Sequence, residues 1–207
     1  MSVEVIDRAN HTIIRDFNVE LPRKIPPTVK GWMWSYELKW LYWAATELEA
    51  QGIPGELLEV GSYKGLSASA LGQAGHLVCV DTFQGGEDLP EHNSRHEFDE
   101  AMDLMGIKPE VRQGPSASIL PELFREGRRF RLIFIDGSHE YANVVQDLDN
   151  AWKLLSPHGA LVADDYVGFP DVKRACDEFG YGLNAFVPVN PVRSKMAVLN
   201  KMTEGTG

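Results

Sequence analysis

The stretch "RLIFIDGSHEY", residues 131–141, decides how the rest of the chain is read. Leu132, Ile133, Phe134 and Ile135 are four apolar residues in a row, the pattern of a strand buried on both faces. That run ends in Asp136, Gly137, Ser138 and His139. An acid, a flexible glycine and a histidine at the mouth of a buried strand suit a site better than a simple turn.

The same alternation extends to both sides. Strand-like segments are "ELLEVG" (56–61), "HLVCVD" (76–81), "PEVRQG" (109–114) and "GALVADD" (159–165). Helix-like segments lie between and after them: "GLSASALGQAG" (65–75), "HEFDEAMDLMG" (96–106), "ASILPELFREG" (117–127), "YANVVQDLDNAWKLL" (141–155) and "PDVKRACDEFG" (170–180). A helix ahead of the series, "SYELKWLYWAATELEAQG" (35–52), has Ser35 as its candidate cap and Gly52 as its stop. Strands alternating with helices predict an α/β fold, a Rossmann-like, doubly wound and mostly parallel sheet. The tail "LNAFVPVNPVRSKMAVLN" (183–200) reads as two strands around "NPVRS", a C-terminal antiparallel hairpin. The expected organisation is an arm over residues 1–34, made extended near its end by Pro22, Pro26 and Pro27, and a single domain over 35–207. The likeliest loops by composition are 83–94 and 165–170.

Composition bounds the function. The 207 residues carry a formal net charge of -10, which argues against a nucleic-acid partner, because affinity for a phosphate backbone rests on Lys and Arg. Two cysteines, Cys79 and Cys176, show no metal-ligand spacing and suit a reducing compartment. No signal peptide or membrane-spanning run is legible, so the expected localisation is cytoplasmic. A small-molecule partner fits best, and homo-oligomerisation stays open.

In doubly wound sheets, ligands bind at the carboxyl ends of the strands. Gly61, Asp81, Gly114, Asp136 and the pair Asp164–Asp165 all fall at such ends. The turn "GSYKG" (61–65) is not the GxGxxG fingerprint, although its glycines would let a ligand approach backbone amides. Asp81, 20 residues past Gly61, is placed to accept from ribose hydroxyls. That pair suits an adenosine-type methyl donor or NAD equally. Ser116 is expected to cap the helix from Ala117, with a hydrogen bond to a cofactor base as its functional role. Asp136, Asp164 and Asp165 would crowd one rim if the backbone turns after Asp164, and hard oxygen ligands suit Mg²⁺, Ca²⁺ or Mn²⁺. The bland reading makes Asp165 a helix cap. His139, three residues past Asp136, is a candidate general base. Trp40 and Trp43 are expected in the core; Trp32 and Trp34 are candidates for an acceptor wall or for docking the arm.

The segments "LLEVGSYKGLSASAL", "VCVDTF", "GPSAS" and "LIFIDGSHEYANVVQDLDNAWKLLSPHGALVADDY" together resemble class I S-adenosylmethionine-dependent methyltransferases. The nearer likeness is to the small-molecule O-methyltransferases that include sugar-modifying enzymes of macrolide and cephalosporin-type antibiotic pathways; catechol O-methyltransferase is a more distant relative with the same site plan. The resemblance covers about residues 36–200. It implies that Glu59, Gly61, Ser62, Tyr63, Gly65 and Ser67 form the turn holding the methionine part of S-adenosylmethionine. Asp81 and Thr82 would serve the ribose, and Gly114 and Ser116 the adenine side. Asp136, Gly137 and His139 would also face the cofactor. Asp136, Asp164 and Asp165 would bind a divalent metal, with Mg²⁺ favoured, and His139 and Asp136 would be catalytic. A small-molecule hydroxyl in a sugar, phenol or diol would be the acceptor. One departure is His158 in "SPHGAL", where such enzymes carry a second glycine. The alternatives are a nicotinamide-dependent oxidoreductase, disfavoured by the missing GxGxxG, and a non-catalytic nucleoside-binding protein.

Overall fold

The protein is described from a computed structural model, over residues 19–85, 93–180, 186–190 and 193–201. The first half of the expected arm and the centre of the 83–94 loop lie outside these residues. The helix α1 (Ser35–Ala50) comes first. There follow β1 (Glu56–Val60), α2 (Leu66–Leu71), β2 (Leu77–Asp81), α3 (Arg95–Met105), β3 (Glu110–Gln113), α4 (Ser116–Arg125), β4 (Phe130–Ile135), α5 (Tyr141–Leu154), β5 (Leu155–Ala163) and α6 (Pro170–Phe179). The chain closes with β6 (Val187–Pro188) and β7 (Ala197–Asn200).

The sheet order is β3-β2-β1-β4-β5-β7-β6. β1 to β5 pair in parallel, and β7 runs antiparallel to both β5 and β6. The expected hairpin is therefore present, with its second strand inserted beside β5. Parallel strands hidden on both faces must be apolar throughout, and every residue of β4 is buried. One core contains Leu41, Leu57, Leu132 and Phe98; the other contains Leu58, Ile133, Leu120 and Leu148. Neighbours along a strand thus feed opposite layers.

Three local features depart from the sequence reading. Ser35 is the first helical residue of α1 rather than its cap; the preceding Trp34 N–H is instead taken by Glu37 Oε2 at 2.8 Å. Ser116 likewise opens α4, with Pro115 at the cap position. Leu155 leaves α5 and starts β5, because four residues, Ser156–Gly159, bulge out between the pairs Phe130↔Leu155 and Leu132↔Ala160. Within that bulge His158 adopts φ 65, the left-handed conformation a glycine would take without strain.

Arg131, the first residue of the deciding stretch, is buried. It donates to the carbonyls of Gly55 at 2.6 Å, Ala74 at 3.2 Å and Ala45 at 3.3 Å, which ties β4 to α1 and to the segments flanking β1 and α2. A buried guanidinium is tolerated because its donors meet acceptors. Among the described residues no helix is long and apolar enough to cross a membrane.

Candidate active site

Strand order reverses between β1 and β4, and a crevice opens at their carboxyl ends. Two cavities occupy it, of about 350 Å³ and 340 Å³. The first lies over the ends of β1 to β4 and includes Gly61, Tyr63, Asp81, Thr82, Gly114 and Ser116. The second lies toward β5 and the segment before α1, and includes Trp32, Asp164, Asp165, Phe169 and Lys195. Gly61, Tyr63, Asp136, Gly137 and His139 line both. Asp136, Gly137 and His139, at the end of β4, form part of the wall between the two chambers.

The glycine turn is held from below. Gly61 has φ 88, and a Cβ there would lie 2.0 Å from the Asp136 carbonyl oxygen, so only glycine allows β1 and β4 to end side by side. Asp81 Oδ2 accepts the N–H groups of Ser62 and Tyr63, both at 2.7 Å, and Oδ1 accepts that of Phe83 at 2.6 Å. This modifies the sequence expectation. Two of the turn's amides, those of Ser62 and Tyr63, are spent on Asp81, which braces the turn as well as lining the first cavity.

The other residues expected at the cofactor are divided. Ser62 and Ser67 line the second cavity. Glu59 and Gly65 line neither. Glu59 is fully buried beneath the turn; burial pushes its carboxyl up to about 7, with Ser62, Ser67 and Cys79 pulling the other way. Gly65, at φ 84, begins α2 against Met102 and Phe98. Ser116 does not cap α4; it lines the first cavity together with Asp147, a residue of α5. Burial raises Asp147 to about 6, and the Ser116 hydroxyl opposes that rise.

The acid cluster comes together as expected, but with a cation in it. Asp165 takes φ 56, so the backbone turns at the end of β5 and consecutive aspartates reach one point. Lys195 Nζ sits there, 3.1 Å from Asp164 Oδ2 and 2.7 Å from Asp165 Oδ1. Asp165 Oδ2 is 2.9 Å from His139 Nε2. His139 stacks on Phe169, ring centroids 3.8 Å apart. Burial works to raise Asp165, yet His139 and Lys195 hold its carboxyl below the ordinary range. Burial also raises Asp164, to about 6, with Lys195 opposing. Asp136 is pushed well up by burial and by the Asp164 and Asp165 charges.

These contacts test the expected metal. Asp136, His139 and Asp165 each bring one ligand atom within 4.8 Å of the others. Both Asp165 oxygens are nonetheless committed, one to Lys195 and one to His139. Asp164 keeps only Oδ1, buried and without a hydrogen-bond partner among the described residues. An ammonium bonded to two of the three aspartates occupies the oxygens a hard divalent cation would use and repels that cation. With Lys195 in place the three aspartates do not fit one.

Lys195 was not legible as a site residue. Register places it: β5 and β7 pair Ala163 with Ala197, so two residues further on Lys195 falls opposite Asp165. The signal available in the sequence was a lone lysine entering an apolar strand, "KMAVL". Glu37 was missed too. It is fully buried, and its Oε1 accepts the Lys195 N–H at 2.8 Å. Trp32, half of the expected acceptor wall, stacks on Tyr63 with centroids 4.9 Å apart. Trp34 is exposed and lines neither cavity.

No curated protein matches the chain. Solved structures share its fold. The O-methyltransferase NovP is 18% identical, over 81% of this chain and 80% of its own, with a TM-score of 0.67. TomG from Streptomyces achromogenes, an O-methyltransferase of tomaymycin synthesis solved in complex with SAM, is 20% identical over 86% and 83%, TM-score 0.63. CalS11, a TDP-rhamnose 3'-O-methyltransferase of calicheamicin biosynthesis, is 15% identical over 80% and 77%, TM-score 0.60. The model of one family, described as a methyltransferase domain, matches residues 58–166, from β1 through the acid pair and Tyr166. With more than half of its length matched by that model, the chain belongs to the methyltransferase-domain family.

Proposed function

We propose that this methyltransferase moves the methyl group of S-adenosylmethionine to a hydroxyl of a small molecule, with His139 as the base. The observation that carries the proposal is the shared wall: Tyr63, Asp136, Gly137 and His139 line both cavities. A donor in the first chamber and an acceptor in the second would meet there, as in-line transfer requires. The structures of similar fold include TomG, solved with SAM, and a TDP-rhamnose 3'-O-methyltransferase.

The chain's own residues divide the work. Asp81 and Thr82 face the ribose end of the first chamber, and Gly114, Ser116 and Asp147 the adenine end. The acceptor lies against Trp32 and Tyr63, whose flat faces suit a sugar or a phenol. Nε2–H of His139 donates to Asp165, so the acceptor's hydroxyl gives its proton to the other ring nitrogen, Nδ1, as the carbon–oxygen bond forms and the sulfonium carbon–sulfur bond breaks, leaving S-adenosylhomocysteine and a methyl ether. Asp165 stabilises the imidazolium that results, the role a buried carboxylate plays behind a histidine base. The divalent ion expected from the resemblance has no part in this sequence of steps, since its ligands are engaged with Lys195 and His139.

Calorimetric titration of S-adenosylhomocysteine tests the reading. One molecule bound per chain, with NADH not bound, is the expected result. Binding of NADH instead would favour an oxidoreductase.

A further inference from the structure

We infer that Lys195 is the resident cation of the acid rim, a positioning residue that takes the place of a divalent metal and fixes the His139–Asp165 pair. The inference rests on the methyl-transfer reading for the meaning of that pair, and on four observations for the rest.

The ammonium is bonded to two carboxylates at once, Asp164 Oδ2 and Asp165 Oδ1. Both acids are buried, and the Lys195 side chain is only 22% exposed. Two carboxylates this close repel unless a cation joins them. Second, the backbone of Lys195 is pinned on both sides. Its N–H goes to buried Glu37 and its carbonyl accepts the Val167 N–H at 3.1 Å. A lysine held only by a flexible surface ion pair would have no such anchorage. Third, Asp165 is shared: Lys195 takes Oδ1, which leaves Oδ2 directed at His139 Nε2. The series Asp164–Lys195–Asp165–His139 is therefore one continuous chain of hydrogen bonds ending at the wall between the chambers. Fourth, Lys195 itself lines the acceptor chamber, where its charge faces the hydroxyl-bearing substrate.

The function of the cation follows. In a metal-assisted enzyme the ion neutralises the carboxylates and orients the acceptor oxygen. Here an ammonium neutralises them and holds the carboxylate that orients the base. The ammonium has three donors; two are spent on Asp164 and Asp165, and among the described residues the third meets no acceptor, so that an acceptor oxygen in the chamber can take it.

The test uses the full-length protein and Mn²⁺ alone, read by loss of the free-ion electron paramagnetic signal, with turnover in chelator measured alongside. The wild type is expected to take up no Mn²⁺ at the rim and to keep its turnover in EDTA. Lys195→Met removes a unit charge beside the carboxylates and is expected to tighten Mn²⁺ binding by about tenfold or more. Lys195→Arg keeps the charge and is expected to stay blind to Mn²⁺. Stoichiometric Mn²⁺ uptake by the wild type that Asp165→Asn abolishes would overturn the inference, as would loss of wild-type turnover in EDTA. Unchanged Mn²⁺ affinity in folded Lys195→Met would overturn it too. If Lys195→Met does not fold, the wild-type and Lys195→Arg titrations decide the matter. Failure of the wild type to bind S-adenosylhomocysteine counts against the methyl-donor reading instead, and the Mn²⁺ titrations still decide the place of Lys195.

Discussion

Glu37 Oε1 accepts the backbone N–H of Lys195 at 2.8 Å, although the two residues lie 158 apart in the sequence. The other oxygen of the same carboxylate accepts the Trp34 N–H. One buried acid therefore fixes both the entry to α1, next to the aromatic wall, and the entry to β7, next to the acid rim. Replacing Glu37 by Leu would deprive two partly buried backbone donors of their acceptor, and water can reach the N–H of half-exposed Trp34 more readily than that of Lys195. Urea denaturation of Glu37→Leu should show a loss of about 1–2 kcal/mol, the lower part of the range for an unsatisfied donor. An unchanged midpoint would mean that these two hydrogen bonds are not holding the segments.

His139→Ala separates catalysis from binding. A positioned base contributes about 10²- to 10⁴-fold to a rate, so turnover should fall in that range. Affinity for S-adenosylhomocysteine should stay close to the wild-type value, because the ribose and adenine ends of the chamber are untouched. A collapse in that affinity would reassign His139 to cofactor binding.

Asp147 gives the protein a pH signature unrelated to the acid rim. Its folded carboxyl is raised to about 6 by burial, against an ordinary unfolded value near 3.9. A raised acid contributes stability that is complete below the unfolded pKa and is lost as pH rises through the folded one. The loss falls between about pH 4 and pH 6 and amounts to about 3 kcal/mol at most. Asp147→Asn should be close to wild type at pH 4 and more stable than it at pH 7.5 by about 2 kcal/mol. Denaturation curves with the same pH slope for both proteins would refute this.

His158→Gly should stabilise the fold. His158 holds φ 65 in the β5 bulge, and its side chain is exposed. Left-handed backbone costs a non-glycine residue about 1–2 kcal/mol, partly offset by the extra freedom glycine gives the unfolded chain. A net gain of about 0.5–1 kcal/mol in denaturant is expected, with turnover unchanged. A loss would show that the imidazole has a contact worth more than the strain.

The sequence alone determined the alternation of strands and helices, the parallel sheet, and the edge at which Gly61, Asp81, Gly114, Asp136 and Asp164 gather. These follow from runs a few residues long, because a doubly buried strand must be apolar throughout and can turn polar only where it emerges. The roles within that edge were less legible. Asp81 braces the turn through the amides of Ser62 and Tyr63, and Glu59 lies under the turn, since carboxylate partners are backbone groups brought near by folding. The cation among the aspartates was decided by tertiary structure alone. Lys195 meets Asp165 only because β7 inserts antiparallel beside β5 in one particular register, and Asp164 joins them only because the chain turns left-handed at Asp165. Register between strands distant in sequence, and a single backbone angle, leave no periodic mark on the residues that obey them.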